Sequence, residues 1–495
     1  MLRTNLRIGI AIAQTLLIVL ILWQAARFVF RSDPNDELRS ADALFAARRY
    51  HDARGAYSAM LGHTPYFAPA LLRLGIVATI RDERTVADQA LVAALGLKLS
   101  PAEYDLVRLY QGRLAAIGGQ RDQAEQFWGA IGPQSALFGR RRVLEAEQLL
   151  LIGDYAGASL SYRSAQQFDL PNDWRALVHT RLALLRASSD PAAARAELAQ
   201  IAALAPEPKA TSIDWAATLL PRVNPDAQQL AAALGAPPDL RAQTLGQLFL
   251  SAQLYTLAEA QFAAVAPTSP SALAAAAYAA YTRWRAGDHA EGLRRLQELV
   301  ARYPDEPRAR ALLALAYLTN REDDSAKAEL DAIRTLAPHA PDTHLAWGQW
   351  YATQHDYVAA ADAYRRALSD AAPEQRGAYA LALARFYVDT SFQLCEAGPS
   401  AAEQAIAALP DDPRAWTLAS ATRISCGDSA GAHQAAARAL QQDPTSAEAT
   451  YYLGRALAAL GQRQAARAAL ISAADLAPAS AWRERAEQQI TVLGL

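Results

Sequence analysis

Apolar residues recur three and four positions apart over almost the whole chain after residue 34. Ala258, Phe262 and Val265 would share one side of a helix, and Leu245 and Phe249 would do so in the stretch before it. This spacing is that of an amphipathic α-helix, whereas strict alternation would indicate a strand. The pattern therefore predicts an all-α chain of short helices, each with one apolar face.

Prolines divide this helical pattern at a fixed interval. Two sets of three prolines share the same even spacing, namely Pro270, Pro304 and Pro338, and then Pro410, Pro444 and Pro478. Proline cannot continue a helix, so each one is expected to turn the chain into the next unit. A period of about 34 residues with two helical stretches per interval is typical of a helix–turn–helix repeat that stacks into a solenoid.

The repeats resemble those of the tetratricopeptide repeat family, whose pattern combines W-x2-L-G-x2-Y, A-x3-F and a closing proline. The matching residues of the unit that ends at Pro270 are Leu245, Gly246, Phe249, Ala258 and Phe262, and those of the last unit are Leu453, Gly454, Leu457, Ala466 and Leu470. The resemblance implies a right-handed α-solenoid of about eleven or twelve repeats. It also implies that the small residues lie where the two helices of a unit cross, because a larger side chain would force them apart.

The repeats fall into two arrays. The resemblance implies an N-terminal array over 34–206, a C-terminal array over 239–480 and a capping helix over 481–495. Between the arrays, residues 207–238 lose the pattern and contain several prolines, although 226–234 still reads as a helix. This stretch is either a degenerate repeat or a joint between two sub-arrays.

An apolar segment precedes the repeats. Residues 8–26 carry no charge, follow a short tail over 1–7, and as a helix would span about 28 Å, close to the thickness of a membrane's hydrocarbon core. A cleaved signal peptide is the competing interpretation, but Trp23 or Gln24 would occupy a cleavage position that requires a small residue. We therefore expect a transmembrane signal anchor. Its orientation is expected to be N-in and C-out, with the solenoid outside the cytoplasm, because a short charged N-terminal tail usually stays inside.

The chain has two cysteines, Cys395 and Cys426, whose separation is close to one repeat and which therefore fall in adjacent units. Equivalent positions of stacked helices are about 10 Å apart, which is too far for a disulfide unless the extra residues near Cys395 close the gap. A disulfide and two buried reduced cysteines both remain open. A disulfide would favour an oxidising compartment.

The sequence offers no catalytic constellation. It contains no phosphate-binding glycine loop, nucleophile elbow or zinc-protease motif, and two cysteines are too few for a cysteine-rich zinc site. The net charge of −2 argues against a nucleic-acid binder, which usually carries a concentrated basic face. The run Arg140, Arg141 and Arg142 is interpreted as a solvated helix face. We therefore expect neither an enzyme nor a protein with a cofactor or metal.

Binding residues are expected on the first helix of each unit, which lines the groove of tetratricopeptide solenoids. The positions that the resemblance assigns to this groove hold aromatic residues, arginines and a glutamine. Aromatic residues and arginine are enriched in binding hot spots. The candidates are Tyr278, Tyr281, Trp284, Arg285, Gln349, Tyr451 and Arg455. The alternative is that part of this stripe belongs to the core between repeats.

These observations favour a membrane-tethered scaffold that binds proteins or extended peptides and helps to assemble a cell-envelope complex. A constitutive structural subunit of a large membrane complex is the main alternative, and a glycan-handling or enzymatic protein is a remote one. Few lysines beside many arginines are typical of a bacterium with a GC-rich genome.

Overall fold

The structure is a computed structural model that describes residues 33–206, 212–221, 224–373, 375–477 and 480–494. All regular secondary structure in these ranges is helical, with 26 α-helices, one short 3-10 turn and no strand. Twenty-four of the helices form twelve antiparallel pairs of consecutive helices. The prediction of an all-α solenoid of paired helices is confirmed for the described residues.

The helices before the irregular stretch form five pairs. Their bounds are α1 Pro34–Ala46, α2 Tyr50–His63, α3 Ala68–Ile80, α4 Arg84–Leu95, α5 Pro101–Ile117, α6 Arg121–Gly129, α7 Phe138–Leu151, α8 Tyr155–Ala165, α9 Asn172–Arg186 and α10 Pro191–Ala202.

The later helices comprise a single helix, seven pairs and a final single helix. Their bounds are α11 Ala227–Gly235, α12 Pro238–Ser251, α13 Tyr255–Ala263, α14 Ala272–Arg285, α15 His289–Arg302, α16 Pro307–Thr319, α17 Asp323–Leu336, α18 Pro341–Thr353, α19 Tyr357–Asp370, α20 Arg376–Thr390, α21 Gly398–Ala408, α22 Pro413–Ser425, α23 Ser429–Gln442, α24 Ala447–Ala459, α25 Arg463–Leu476 and α26 Ala481–Val492.

Small residues allow the two helices of a pair to cross closely. A Cβ atom added to Gly246 in α12 would lie 2.8 Å from the Phe262 ring in α13, and one added to Gly112 in α5 would overlap the indole of Trp128 in α6. Both positions are closer than a van der Waals contact, so the large side chain occupies the space that the glycine leaves. The partner follows its glycine at the same interval along the chain in both pairs, which agrees with the crossing expected from the sequence.

The turn inside a pair follows a recurring geometry. One residue adopts a positive φ, and it is glycine in several turns, as at Gly153 (φ 83°) and Gly287 (φ 103°). The next residue is often an aspartate whose carboxylate accepts a hydrogen bond from the backbone of the second helix, as Asp154 does from the N–H of Gly157. Glycine tolerates the left-handed conformation and aspartate satisfies an exposed N–H of the helix, so the Gly-Asp pair starts the second helix efficiently.

The chain divides into two compact units, with the division between Tyr110 and Gln111. In the second unit, α11 packs against α9, α10 and α12. Leu230 and Leu234 of α11 belong to one buried cluster that also contains Leu184 of α9 and Phe249 of α12. The hydrophobic core therefore continues through the stretch in which the repeat pattern fails.

The pair α20–α21 is longer than the others and carries a disulfide. The sulfur atoms of Cys395, between these helices, and Cys426, at the end of α22, are 2.13 Å apart, and their Cα atoms are 5.3 Å apart. Ser391, at the C-terminus of α20, has a φ of 56° and begins the extra turn that carries Cys395. The longer connection brings the Cα atoms closer than the roughly 10 Å between stacked helices.

The predicted transmembrane segment over 8–26 lies outside the described residues. Among the helices of the described ranges, none combines the length and the apolar character that a membrane crossing requires.

Candidate functional site

The first helices of the pairs form one side of the second unit. Both α14 and α16 pack against the next first helix, and so do α20 and α22. The second helices contact the first helices on either side of them, as α15 contacts α14 and α16. The first helices thus lie closer together, on the inner side of the stack.

A polar network crosses four successive first helices on this inner side. Arg308 of α16 forms an ion pair with Asp342 of α18, and Asp342 also accepts a hydrogen bond of 2.7 Å from the hydroxyl of Tyr379 in α20. On the other side, the Arg308 guanidinium lies 5.7 Å from the ring centre of Tyr278 in α14. The Arg308 and Asp342 side chains are each 35% exposed, so the network is open to solvent.

The network shifts the acidity of both tyrosines. Burial and the hydrogen bond to Asp342 hold the pKa of Tyr379 well above its usual range. Burial also raises the pKa of Tyr278, and the charge of Asp342 adds to this effect while that of Arg308 opposes it. Like ordinary tyrosines, both are protonated at neutral pH and can donate hydrogen bonds.

Arg285 and Tyr281 lie beside this network at the C-terminal end of α14. The exposed Arg285 donates a hydrogen bond of 3.0 Å to the hydroxyl of Tyr255 and lies 5.5 Å from the centre of that ring. Its other terminal nitrogen is 3.5 Å from the hydroxyl of Tyr281, which is half-buried. These residues form an aromatic and cationic surface at one end of the network.

Two predicted groove residues belong instead to the core, which is the alternative that the sequence left open. Trp284 is 3% exposed, and its backbone and Cβ pack against Gly292 of α15. Tyr451 is 8% exposed because Trp482 of α26 covers it, with ring centres 5.5 Å apart. The last helix therefore covers an aromatic surface that would otherwise be open.

The remaining predicted residues lie at separate places on the first helices. Gln349 is half-buried on α18, and Arg455 of α24 has its guanidinium 5.9 Å from the ring centre of Tyr451. The structure thus brings Tyr278, Tyr281 and Arg285 together on α14 but does not join them to Tyr451 and Arg455.

The sequence reasoning missed Arg308 and Asp342, which hold the network together. They occupy the same place in consecutive units, and opposite charges one repeat period apart were the available signal. It also missed the pair Arg385 and Glu448, which joins α20 to α24 through two hydrogen bonds of 2.6 and 3.1 Å.

The run Arg140 to Arg142 was wrongly interpreted as a solvated face. All three arginines are largely buried and form ion pairs, Arg141 and Arg142 with Glu145 and Arg140 with Asp214. Asp214 lies 74 residues from Arg140, in the irregular stretch. The acceptor is thus too remote in sequence for the local pattern to reveal it.

A second charged cluster lies on α7, α8 and α9. Arg181 of α9 donates two hydrogen bonds, of 2.8 and 3.0 Å, to the carboxylate of Glu147 in α7, which also accepts one of 2.5 Å from the Tyr162 hydroxyl in α8. The Arg181 side chain is only 6% exposed. Burial lowers the pKa of Arg113, and the charge of Glu147 partly opposes this effect.

Comparison with known proteins supports the repeat assignment. Residues 283–346, which span parts of α14 to α18, match the family model described as tetratricopeptide repeat. The chain therefore carries tetratricopeptide repeats in this region and is a tetratricopeptide-like solenoid by its helix pairing. No curated protein sequence matches the chain significantly.

Solved structures with a similar arrangement have low sequence identity to this chain. The Cut9–Hcn1 hetero-tetramer of the APC/C is 14% identical with a TM-score of 0.41, and the match covers 94% of this chain and 91% of that one. PilW, a type IV pilus biogenesis factor, is 16% identical with a TM-score of 0.37, over 41% of this chain and 93% of its own. The pilF protein of Pseudomonas aeruginosa is 15% identical with a TM-score of 0.37, over 44% and 97%. Likeness at this level assigns no function or partner to the chain.

Proposed function

We propose that this protein is a scaffold that binds an extended segment of a partner protein along the inner side of α14, α16, α18 and α20. The observation that carries the proposal is the network of Tyr278, Arg308, Asp342 and Tyr379, in which the charged pair Arg308–Asp342 is 35% exposed. Tyrosine and arginine are the residue types that most often dominate binding energy at protein interfaces. Solenoids also present extended inner surfaces that suit extended ligands.

The network is suited to binding because its groups are already fixed in place. Arg308 is held by Asp342 on one side and by the Tyr278 ring on the other. Asp342 is held in turn by the Tyr379 hydroxyl. Binding to side chains that are already fixed costs less side-chain entropy than binding to mobile ones.

Site-specific photocrosslinking tests this proposal. A photoreactive amino acid at Tyr281 is expected to crosslink one defined protein in membrane extracts, and Arg308→Ala is expected to reduce that yield several-fold. The matched control is the same probe at Val358 in the second helix α19, whose side chain is 63% exposed. Equal crosslinking from Tyr281 and Val358 would contradict the proposal.

We further propose that residues 8–26 anchor the scaffold in a membrane, N-in and C-out, where it organises an envelope complex. The uncharged apolar segment supports the anchor, and a disulfide between Cys395 and Cys426 suits an oxidising compartment. A reporter fused after Leu495 that is active only outside the cytoplasm should then be active. Activity of a cytoplasmic reporter at the same site would contradict this orientation.

A constitutive subunit of a membrane complex remains the alternative. Such a subunit would co-purify with its partners at fixed stoichiometry. A scaffold would instead exchange its partner, so a labelled partner added in excess should replace the bound one.

A further inference from the structure

Residues 212–221 of the irregular stretch are tied to the first helix α7 through the side chain of Asp214. Arg140 of α7 donates hydrogen bonds of 2.7 and 2.5 Å to the two carboxylate oxygens of Asp214. Further along the chain, Arg181 of α9 donates one of 3.2 Å to the backbone carbonyl of Asn224. Arginines of two neighbouring first helices therefore hold the described parts of the irregular stretch, at Asp214 and at Asn224.

The stretch is held in the manner of a peptide ligand. Its regular structure is limited to the 3-10 turn Ala217–Leu219, so it is not a helix of the array. Ala216 and Leu219 are 1% and 5% exposed, whereas Ser212 is exposed. Asp214 and the two buried apolar residues that follow it thus anchor this segment.

The receiving site is built for a carboxylate. The guanidinium of Arg140 lies 5.7 Å from the ring centre of Trp174, which is 1% exposed and therefore fixed in the core. A planar guanidinium that rests against an aromatic ring and donates two parallel hydrogen bonds selects carboxylate geometry. Arg140 itself is 12% exposed, so its charge requires an acidic partner.

The surrounding charges favour an acidic ligand as well. Arg140 is paired with Asp214, whereas Arg113 and Arg181 share the single carboxylate of Glu147. An acidic segment of another protein would meet the same complementary charge.

We propose that this face of α7 and α9 is a second binding site, for an acidic peptide segment of a partner protein, and that residues 212–221 act as its internal competitor. In the bound state a carboxylate of the partner replaces Asp214 on Arg140. The site is separate from the network on α14 to α20, so either site can fail in experiment without the other.

Binding of a free peptide to the full-length protein tests the proposal. The probe is a fluorescent peptide with the sequence of residues 212–221, Ser-Ile-Asp-Trp-Ala-Ala-Thr-Leu-Leu-Pro. The apparent Kd of the probe for the protein is raised when the internal segment covers the site, because only protein molecules with an uncovered site can bind the probe. The variant Asp214→Ala weakens the internal competitor, so it should bind the probe at least about tenfold more tightly than the wild type.

Three controls make this result specific. The double variant Arg140→Ala with Asp214→Ala should lose the gain in affinity for the probe. A probe with asparagine in place of its aspartate should bind at least about tenfold more weakly than the original probe. The variant Asp169→Ala removes an acidic side chain that is 98% exposed and should bind as the wild type does. Equal binding to the wild type and to Asp214→Ala, or full binding to the double variant, would overturn the proposal.

A measurement on the wild type guards against a variant that does not fold. Excess probe should displace residues 212–221 and increase hydrogen exchange of their backbone amides, while exchange in α24 stays constant. The probe's label separates it by mass from the corresponding fragment of the chain. An unchanged exchange rate at a probe concentration that saturates binding would overturn the role of the segment as a competitor.

Discussion

Arg140 and Arg308 both lie in the first turn of a first helix, yet their acidic partners come from different places. Arg308 pairs with Asp342, which occupies the same place in the next repeat. Arg140 pairs with Asp214, which is 74 residues away in the irregular stretch. Where the period is intact the array supplies its own counter-charge, and where the period fails a non-repeat segment supplies it.

The two regions also differ in how deeply their charges are buried. Arg181 and Glu147 are 6% and 13% exposed, whereas Arg308 and Asp342 are each 35% exposed. A buried charge that loses its partner is costly, while a half-exposed one is stabilised by water. The region around α7 and α9 should therefore depend on its ion pairs for folding, and the region around α16 and α18 should depend on them less.

Neutralising one carboxylate in each region gives the largest contrast. Glu147→Gln removes the partner of the buried Arg181 and should cost about 3–5 kcal/mol of local stability. Asp342→Asn should cost about 0–1 kcal/mol, because its partner is half exposed. Hydrogen exchange of α7 to α9 and of α16 to α18 measures both losses. Similar losses would show that burial does not distinguish the two regions.

Filling the helix crossings tests whether the same packing holds pairs before and after the irregular stretch together. Gly112→Ala and Gly246→Ala place a methyl group against Trp128 and Phe262, and each should cost about 1–3 kcal/mol in chemical denaturation. Gly55 in α2 has no atom within 4 Å of an added Cβ, so Gly55→Ala should instead stabilise its helix by up to about 1 kcal/mol. A loss at Gly55 as large as at Gly112 would refute the crossing explanation.

Acid should lower the stability of the region around α18, by less than the substitutions described above. Burial lowers the pKa of His344 although Asp370 opposes this effect, and Arg366 and His339 add to the lowering. The unfolded histidine gains its proton near pH 6.5, while the folded one resists it, so stability falls as the pH drops below that value. The melting temperature of His344→Asn should therefore fall less than that of the wild type between pH 7.5 and 5.5. Equal falls would contradict the prediction.

The repeats could be predicted from the sequence because their information is local. The regular spacing of proline, with Gly246 and Phe262 at the crossing, specifies a helix pair within one unit. The partner of Arg140 could not be predicted in this way, because the sequence around Asp214 has no repeat period. Long-range contacts of this kind depend on the assembled array.

The candidate site was predictable only in part. The aromatic positions of α14 followed from the repeat register, and Tyr278 and Tyr281 are half-buried on the inner side. Trp284 occupies the same helix, but its backbone packs against Gly292, a contact that depends on the small residue at the facing helix. The register alone does not distinguish a groove side chain from one that fills the space between helices.

The disulfide between Cys395 and Cys426 has a mechanical consequence. A solenoid under tension can lengthen by releasing one pair of helices at a time, since each contacts only its neighbours. The disulfide encloses a sequence separation of 31 residues, which contains α21 and α22. A pulling force therefore cannot extend these residues, which would span about 100 Å as an extended chain. This part of the array would stay short under a load that draws out the repeats around it.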